Sequence, residues 1–491
     1  MTQQAVKKPT LVDAAIPVAC LIVMLSTSVY LFGSDSSYGA NQIALILAAC
    51  IASVVGLKNG HSWKSIQDGI VDSIMMAMVA VLILLAVGML IGTWILAGTV
   101  PAMINYGLAL LSPAVFYPAT CLICAIVALS IGSSWTVAGT IGIGLIGVAQ
   151  GMGLSVEITA GAIISGAYLG DKLSPLSDTT NLAPSVAGSE LFPHIQNLMW
   201  TTVPSFVISL ILFSILALGA DSNVTETELA TLRGTLQDQF HIAWYMLLPV
   251  VVLLALAFKK VPAIPTIVIG GLTGVLFALL FQGEAVARLA EQNRSGVLAQ
   301  VQGVWMASFN GYVSNTGNEM IDSLLTRGGM SSMLNTIWLV MSAMTFGGVM
   351  EKTGLLTRLV AMMVASAHSA GGLIRSLIVT CIGTNVVTGD QYISIVLPGR
   401  MFQKEFQKRG LHPLNLSRNL EDSGTVTSVL IPWNTCGAFM AATLGVATGA
   451  YFWFAFFNLI NPLIALLYSY INFKIIPLED FDVSSAELKK P

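Results

Sequence analysis

Runs of about 20 mostly apolar residues recur along this chain, and each is long enough for one α-helix to cross a bilayer. Ten lie near residues 11–32, 41–57, 70–94, 157–184, 197–219, 241–258, 262–281, 331–350, 417–443 and 449–472. Only 10% of the 491 residues are charged and 55% are hydrophobic, where a soluble domain carries about 25% charged residues. A water-facing polar shell cannot be built from this composition. The fold class that follows is an all-α polytopic membrane protein with about ten transmembrane helices. Lys7 and Lys8 precede the first run, which continues past signal-peptide length without a cleavage pattern and reads as a retained span.

Two further apolar regions, 114–153 and 371–399, are each interrupted by a small polar cluster: Gly132-Ser133-Ser134 in one, Gly383-Thr384-Asn385 in the other. Irregular backbone at membrane depth is tolerated only where it is buried in protein or lines a wet cavity. Both regions therefore read as re-entrant hairpins broken at those clusters. Placing the N-terminus in the cytoplasm gathers Lys58, Lys64, Lys259, Lys260, Lys352, Arg358, Arg400, Lys404, Lys408 and Arg409 on the cytoplasmic side, in keeping with the positive-inside rule. The acidic loop 220–240 then lies outside, and the tail 473–491 lies in the cytoplasm.

The chain also carries a weak internal repeat, with halves at 1–219 and 241–472. A shift of 251 lays residues 131–171 on 382–422 without a gap and aligns Asp171 with Asp422. A shift of 256 pairs Gly92 with Gly348 and Gly98 with Gly354, while Trp63 and Gly69 resemble Trp305 and Gly311. Each half reads as two spans, an amphipathic segment, a span, a hairpin, an interrupted span (about 157–184 and 417–443) and a final span. Five crossings per half make two inverted-topology repeats, which puts a substrate site at mid-membrane where the interrupted helices meet.

Polar residues concentrate where that site is expected. The stretch Gly170–Pro184 holds Asp171, Lys172 and Asp178 with Ser174, Ser177, Thr179, Thr180 and Asn181. A charged side chain at mid-membrane costs roughly 2.5–3.5 kcal/mol on insertion scales, so an intramembrane carboxylate is a functional candidate by default. The stretch Asn419–Gly437 holds Glu421, Asp422, Ser423, Thr425, Asn434 and Thr435. The hairpins add Ser133, Ser134 and Thr136, and Thr384, Asn385, Thr388 and Asp390. Carboxylates, hydroxyls and amide oxygens are hard ligands suited to a hard monovalent cation. Na⁺ is assigned to Asp171, Asp178 and Asp422, with Lys172 partly neutralising the first stretch when Na⁺ is absent.

Other chemistry finds little support. The six cysteines lie in apolar stretches, and Cys121-x-x-Cys124 has no second pair near it. The five histidines are scattered, and no Ser/His/Asp or Cys/His arrangement appears, so an enzyme is not expected. The glycine-rich run near Gly139–Gly147 follows no soluble strand and reads as close helix packing. No P-loop or phosphorylation motif points to a primary pump, and no cofactor is expected beyond transported Na⁺ and H⁺. The net charge of −3 gives no sign of a nucleic-acid partner.

The motif GAYLGDKLSPLSDTTNLAP, ending at Pro184, resembles the NhaC-type sodium/proton antiporter family. IGTWILAGTVP from Ile91 and LEDSGTVTSVLIPWNTCGA from Leu420 resemble further motifs of that family, and the resemblance runs from about residue 11 to about 470. It implies inverted repeats, two re-entrant hairpins, a scaffold and a mobile transport domain, a bacterial inner-membrane location and a homodimer among membrane lipids. The leading reading is therefore secondary active exchange of Na⁺ for H⁺ by alternating access. The alternative is Na⁺/H⁺-coupled exchange of a small organic anion such as malate or lactate, since relatives with similar motifs handle them. A passive channel is the third reading.

Overall fold

The computed structural model describes residues 6–219, 226–290, 295–317 and 319–478. Among these residues it is helical throughout, with only two isolated β-bridges. Eight helices are long and apolar enough to cross a membrane, and ten are if two bent pairs each count as one span. Residues 220–225 of the expected outer loop and 479–491 of the expected tail lie outside the described residues. The rest of that loop contains a helix, Glu226–Gln239, tied to the body by Arg233 Nε donating to Asn105 Oδ1 at 3.0 Å.

The first helix, Leu11–Phe32, starts on a capping box in which Thr10 and Asp13 exchange hydrogen bonds. The third, Trp63–Leu96, has 34 residues and is about 51 Å long at 1.5 Å per residue. Its polar start (Lys64, Gln67, Asp68, Asp72) is the expected amphipathic segment, here continuous with the span that follows. In the second half the counterpart helix, Gly296–Asn310, is separate. Gly69 is accordingly inside a helix, while Gly311 follows one at φ 87°, so those two positions are not conformationally equivalent.

The first hairpin consists of helix Phe116–Ile131 and a second arm over residues 134–151. Its break falls at Gly132-Ser133, as the sequence predicts. Gly132 takes φ 77°, a left-handed backbone that ends a helix readily only at glycine, and Ser133 caps the next turn through Thr136 N–H at 3.2 Å. The two ends of the hairpin return to one level, where the Tyr117 hydroxyl accepts the Ser155 N–H at 3.1 Å.

The second hairpin pairs Ala370–Thr388 with Gln391–Lys408. Its break is not at Gly383-Thr384-Asn385, which lie inside the first arm. There Thr388 Oγ1 back-bonds to the Thr384 carbonyl at 2.9 Å, and Asn385 Nδ2 donates sideways to the Gly424 carbonyl at 2.7 Å. Those polar groups find partners without leaving the helix. The chain breaks instead at Gly389, φ 65°, followed by Asp390, whose carboxylate accepts the Ile393 N–H at 3.0 Å as an N-cap. Arg409 closes the base of the hairpin by donating to the Ala367 and Ser369 carbonyls at 2.7 and 3.1 Å.

Each hairpin is followed by an interrupted span. The first is Val156–Leu173 with Asp178–Ala187. The second runs Pro413–Leu420 into a π-turn at Glu421–Thr425, then resumes as Thr435–Leu444. Backbone landmarks recur at a fixed spacing: left-handed Gly132, Gly153 and Gly188 match Gly389, Gly410 and Gly445, each 257 residues on (389 − 132, 410 − 153, 445 − 188). The N-caps Ser133, Ser155 and Ser177 match Asp390, His412 and Asn434 at the same spacing. This register replaces the 251 shift over these elements, and it sets Ser133 against Asp390 at the second hairpin's tip rather than against Thr384. Upstream, Gly98 and Gly354 are both left-handed N-caps, at φ 77° and 73°, as their pairing requires.

The first hairpin arm lies along Val156–Leu173 in the same direction, through the pair Gly166-x-x-x-Gly170. A Cβ on Gly166 would sit 2.1 Å from the Cys121 carbonyl oxygen, and one on Gly170 would sit 2.2 Å from the Ala128 carbonyl carbon. Small residues at this spacing let helix backbones touch. Gly166→Leu is expected to prevent the hairpin from docking. Size-exclusion chromatography after detergent extraction should show loss of the monodisperse peak, whereas Leu at exposed Met75 should leave the peak intact.

Candidate functional site

Val156–Leu173 ends at the break, and its last turn presents successive residues about 100° apart around the axis. Asp171 and Lys172 consequently face different surroundings. Asp171 faces the tip of the first hairpin. Its carboxylate accepts the Ser134 hydroxyl in a short hydrogen bond, the Ser134 N–H at 3.2 Å and the Ser177 hydroxyl at 3.4 Å. The Asp171 carbonyl, freed where the helix stops, accepts Thr180 Oγ1 at 2.5 Å and Thr179 Oγ1 at 3.4 Å. Asp178 opens the next helix and is exposed.

These groups line a cavity of about 700 Å³. Ser133, Ser134, Thr136, Asp171, Ser177, Asp178 and Thr179 enter it from the first half, and Asp390 and Thr435 from the second. The second tip is fastened to the second break by the Thr435 N–H donating to the Gly389 carbonyl at 2.8 Å. Four helix N-termini therefore converge on one space: those at Ser134, Asp178, Gln391 and Thr435. Their partial positive charge favours carboxylates beside them, and three are present, Asp171, Asp178 and Asp390. Against these, Lys260 at the rim is the one basic residue lining the cavity among the described residues. An acidic, hydroxyl-rich cavity of this kind attracts a small hard cation.

The remaining predicted residues lie outside the cavity lining. Ser174 accepts the Leu176 N–H at 3.3 Å, and Asn181 Nδ2 donates to the Pro175 and Ser177 carbonyls at 2.9 and 2.7 Å. Both shape the break. Asn385 and Asn434 bond each other at 3.0 Å and tie the second tip to its span. Thr384 and Thr388 lie buried within the arm.

Asp422 does not join Asp171 and Asp178. It forms a short buried ion pair with Lys172, accepts Thr201 Oγ1 at 2.8 Å, and has Arg418 Nε 4.0 Å away. Lys172 also donates to Asn461 Oδ1 at 2.6 Å. The lysine thus neutralises Asp422 behind the cavity rather than the aspartates inside it. Glu421 is fully buried, with no hydrogen-bond partner at either carboxyl oxygen among the described residues, and Ser423 back-bonds to the Asn419 carbonyl at 2.5 Å. Thr425 supplies its carbonyl to Gln391 Nε2 at 3.3 Å.

Sequence reasoning missed several lining residues. Trp135 stacks on Phe439 at 4.0 Å between ring centroids. Cys436 Sγ lies 3.0 Å from Gln391 Oε1, and Tyr392 and Thr266 complete the wall. Trp135, Gln391 and Tyr392 directly follow tip residues, which was the available signal. Nothing in the order of residues brings Thr266 or Lys260 to a site more than 80 positions away.

Ser134 gives the Asp171 carboxylate two donors, and hydrogen bonds to charged groups are worth about 1.5–3 kcal/mol. Ser134→Ala removes the hydroxyl and leaves the N–H. The cation concentration for half-maximal transport is expected to rise about tenfold, with maximal rate little changed; an unchanged half-maximal concentration would place this hydroxyl outside the binding step.

Helices broken at mid-chain around an acidic cavity, within a bundle of membrane-length helices, define a polytopic membrane protein of the transporter kind. The profile of the Na⁺/H⁺ antiporter family matches residues 8–180 and 166–473. The chain is 38% identical over 468 residues to the Na⁺/H⁺ antiporter NhaC of Alkalihalophilus pseudofirmus, covering 95% of this chain and 96% of the relative. It is 35% identical to the malate-2H⁺/Na⁺-lactate antiporter of Bacillus subtilis, over 95% of each chain. It is also 35% identical to the arginine/ornithine antiporter ArcD of Halobacterium salinarum, over 96% of this chain and 93% of that one. The chain belongs to the Na⁺/H⁺ antiporter family.

Proposed function

We propose that this protein exchanges Na⁺ for H⁺ across a bacterial inner membrane. The observation that carries the reading is the single cavity in which Asp171, Asp178 and Asp390 gather from both halves at converging helix breaks. Carboxylates that hold either Na⁺ or protons make the two ions compete for one site. Antiport follows when the loaded forms move between the faces and the empty, charged form does not.

The repeated landmarks support two inverted halves, with the basic face and both termini cytoplasmic by the positive-inside rule. On that orientation the cavity, rimmed by Lys260 and Pro262, opens inward. A homodimer in the lipid bilayer is part of the same reading, and the antiporter character of the relatives supports a transporter rather than an enzyme.

A second reading, coupled exchange of a small organic anion, is favoured by one feature: about 700 Å³ is far more room than a bare cation fills. Purified protein in liposomes with an internal pH dye separates the two. An imposed Na⁺ gradient should move protons with no organic acid present, and a K⁺ gradient should not. Proton movement that appears only after malate or lactate is added would replace the first reading with the second.

A further inference from the structure

A second cavity, about 320 Å³, runs along helix Thr435–Leu444 from Pro432 to Thr448 and shares no lining residue with the first. Thr435 and Cys436 line the first cavity, while Ala438, Ala441 and Gly445 line the second. The two differ in charge. Among the described residues the second has no carboxylate in its lining, and its one charged group is Arg327.

Arg327 is held firmly. Its backbone makes a two-way bridge with Tyr312, at 3.0 and 3.1 Å. The next two residues, Gly328 and Gly329, take φ 86° and 81°, and the Gly329 N–H donates to the Gly88 carbonyl at 2.7 Å. Both glycines press against other backbone, so the turn that aims Arg327 cannot shift freely: a Cβ on Gly328 would sit 2.4 Å from Gly92 N. At the far end, Nη2 donates to the Leu444 carbonyl at 2.8 Å. A Cβ on Gly445 would lie 2.1 Å from Nη2, so a glycine there is needed for the approach.

Among the described residues this neutral acceptor is the one hydrogen-bond partner of the guanidinium, and it leaves most of its donors unanswered. Arginine has five N–H donors in a planar fork. The helix C-terminus contributes about half a negative charge, and no carboxylate pairs with Arg327 among the described residues. Hydroxyl and amide groups of Ser332, Asn335, Thr336 and Thr448 share the cavity. A fork of this geometry matches a carboxylate through two parallel hydrogen bonds.

We infer that the second cavity is a binding site for a small carboxylate, gripped by Arg327, with neighbouring hydroxyl and amide groups taking a hydroxyl on the ligand. This goes beyond the exchange of cations and does not depend on it. The site is separate from the Asp171 cavity.

The test uses the full-length protein in detergent, with L-lactate and L-malate as probes and chloride as the control anion. Titration calorimetry should show saturable carboxylate binding to the wild type. Arg327→Gln should weaken it at least tenfold, Arg327→Lys less, and Asp171→Asn not at all. Na⁺-driven proton movement in liposomes free of organic acid should persist in Arg327→Gln. Absence of saturable binding in the wild type, equal binding by Arg327→Gln, or equal competition by chloride would overturn the inference. Loss of binding in Asp171→Asn would move the carboxylate into the first cavity. Loss of proton movement in carboxylate-free liposomes with Arg327→Gln would make the arginine a structural tie to Leu444 instead. If Arg327→Gln does not purify as a single species, Arg327→Lys decides: it keeps the charge, and undiminished binding by it removes the fork from the argument. Wild-type liposomes that move no protons without carboxylate would defeat the cation-exchange reading alone, leaving the calorimetry to judge this one.

Discussion

Asn in place of Asp171 is expected to abolish Na⁺-driven proton movement while the protein still inserts and purifies normally. The side chain keeps its size and one oxygen, so the Ser134 and Ser177 donors retain an acceptor. The titratable charge is gone, and with it the group that can hold either ion. A unit charge pair about 4 Å apart in an effective dielectric of about 20 is worth about 4 kcal/mol. Even a third of that is a tenfold loss, and the full value is close to a thousandfold. Transport at a Na⁺ concentration that half-saturates the wild type should fall about 100-fold or more on that scale. Asp178 is exposed, so Asp178→Asn should mainly raise the Na⁺ requirement. Initial rates in dye-loaded liposomes check both variants. Normal transport by Asp171→Asn would move the ion site away from the first break.

The second large effect is on stability. Lys172 and Asp422 are both fully buried and paired. Removing one partner of a buried ion pair leaves an uncompensated charge and typically costs about 3–5 kcal/mol. Lys172→Met should therefore lower the thermal unfolding temperature sharply, or prevent recovery of folded protein, with Asn461 and Thr201 also losing their arrangement around the pair. Replacing both charges with apolar groups of similar volume is often neutral. The double variant Lys172→Met with Asp422→Leu should recover only part of the stability in the same thermal scan, because it leaves buried Arg418, 4.0 Å from Asp422, without that carboxylate. A single Lys172→Met variant as stable as the wild type would mean that Asp422 is not buried opposite an obligatory cation.

Much of this architecture is legible from the residues. Apolar run lengths locate most spans within a few positions, Leu11–Phe32 and Ala263–Phe281 among them, because the bilayer sets one length for all of them. The first hairpin break is legible because Gly132 and Ser133 combine a C-terminal glycine with an N-capping serine. Gly383-Thr384-Asn385 sits at the middle of the apolar run 371–399, where a break is expected from run length, whereas Gly389-Asp390 repeats the glycine-then-cap pattern. Hydropathy detects polarity; helix termination depends on backbone geometry.

The site divides in the same way. Asp171, Asp178 and the first tip are found together because one short stretch and one adjacent hairpin hold them. The separation of Asp171 from Lys172 is a matter of about 100° around a helix and of which helices stand on each side. Asn461 and Thr201, which complete the Lys172 pair, come from helices whose proximity no local pattern states. The 251 register pairs Asp171 with Asp422; the spacing of 257 between the structural landmarks puts Ser428, not Asp422, opposite Asp171.

The central claim is competition between Na⁺ and protons for the carboxylates of one cavity. Its most direct measurement is proton release on Na⁺ addition to purified protein in weakly buffered detergent solution, followed with a pH dye. The account predicts acidification on adding Na⁺ in a saturable manner, none with K⁺, and none in Asp171→Asn. Saturable Na⁺ binding with no proton released, or release that persists undiminished in Asp171→Asn, would contradict it.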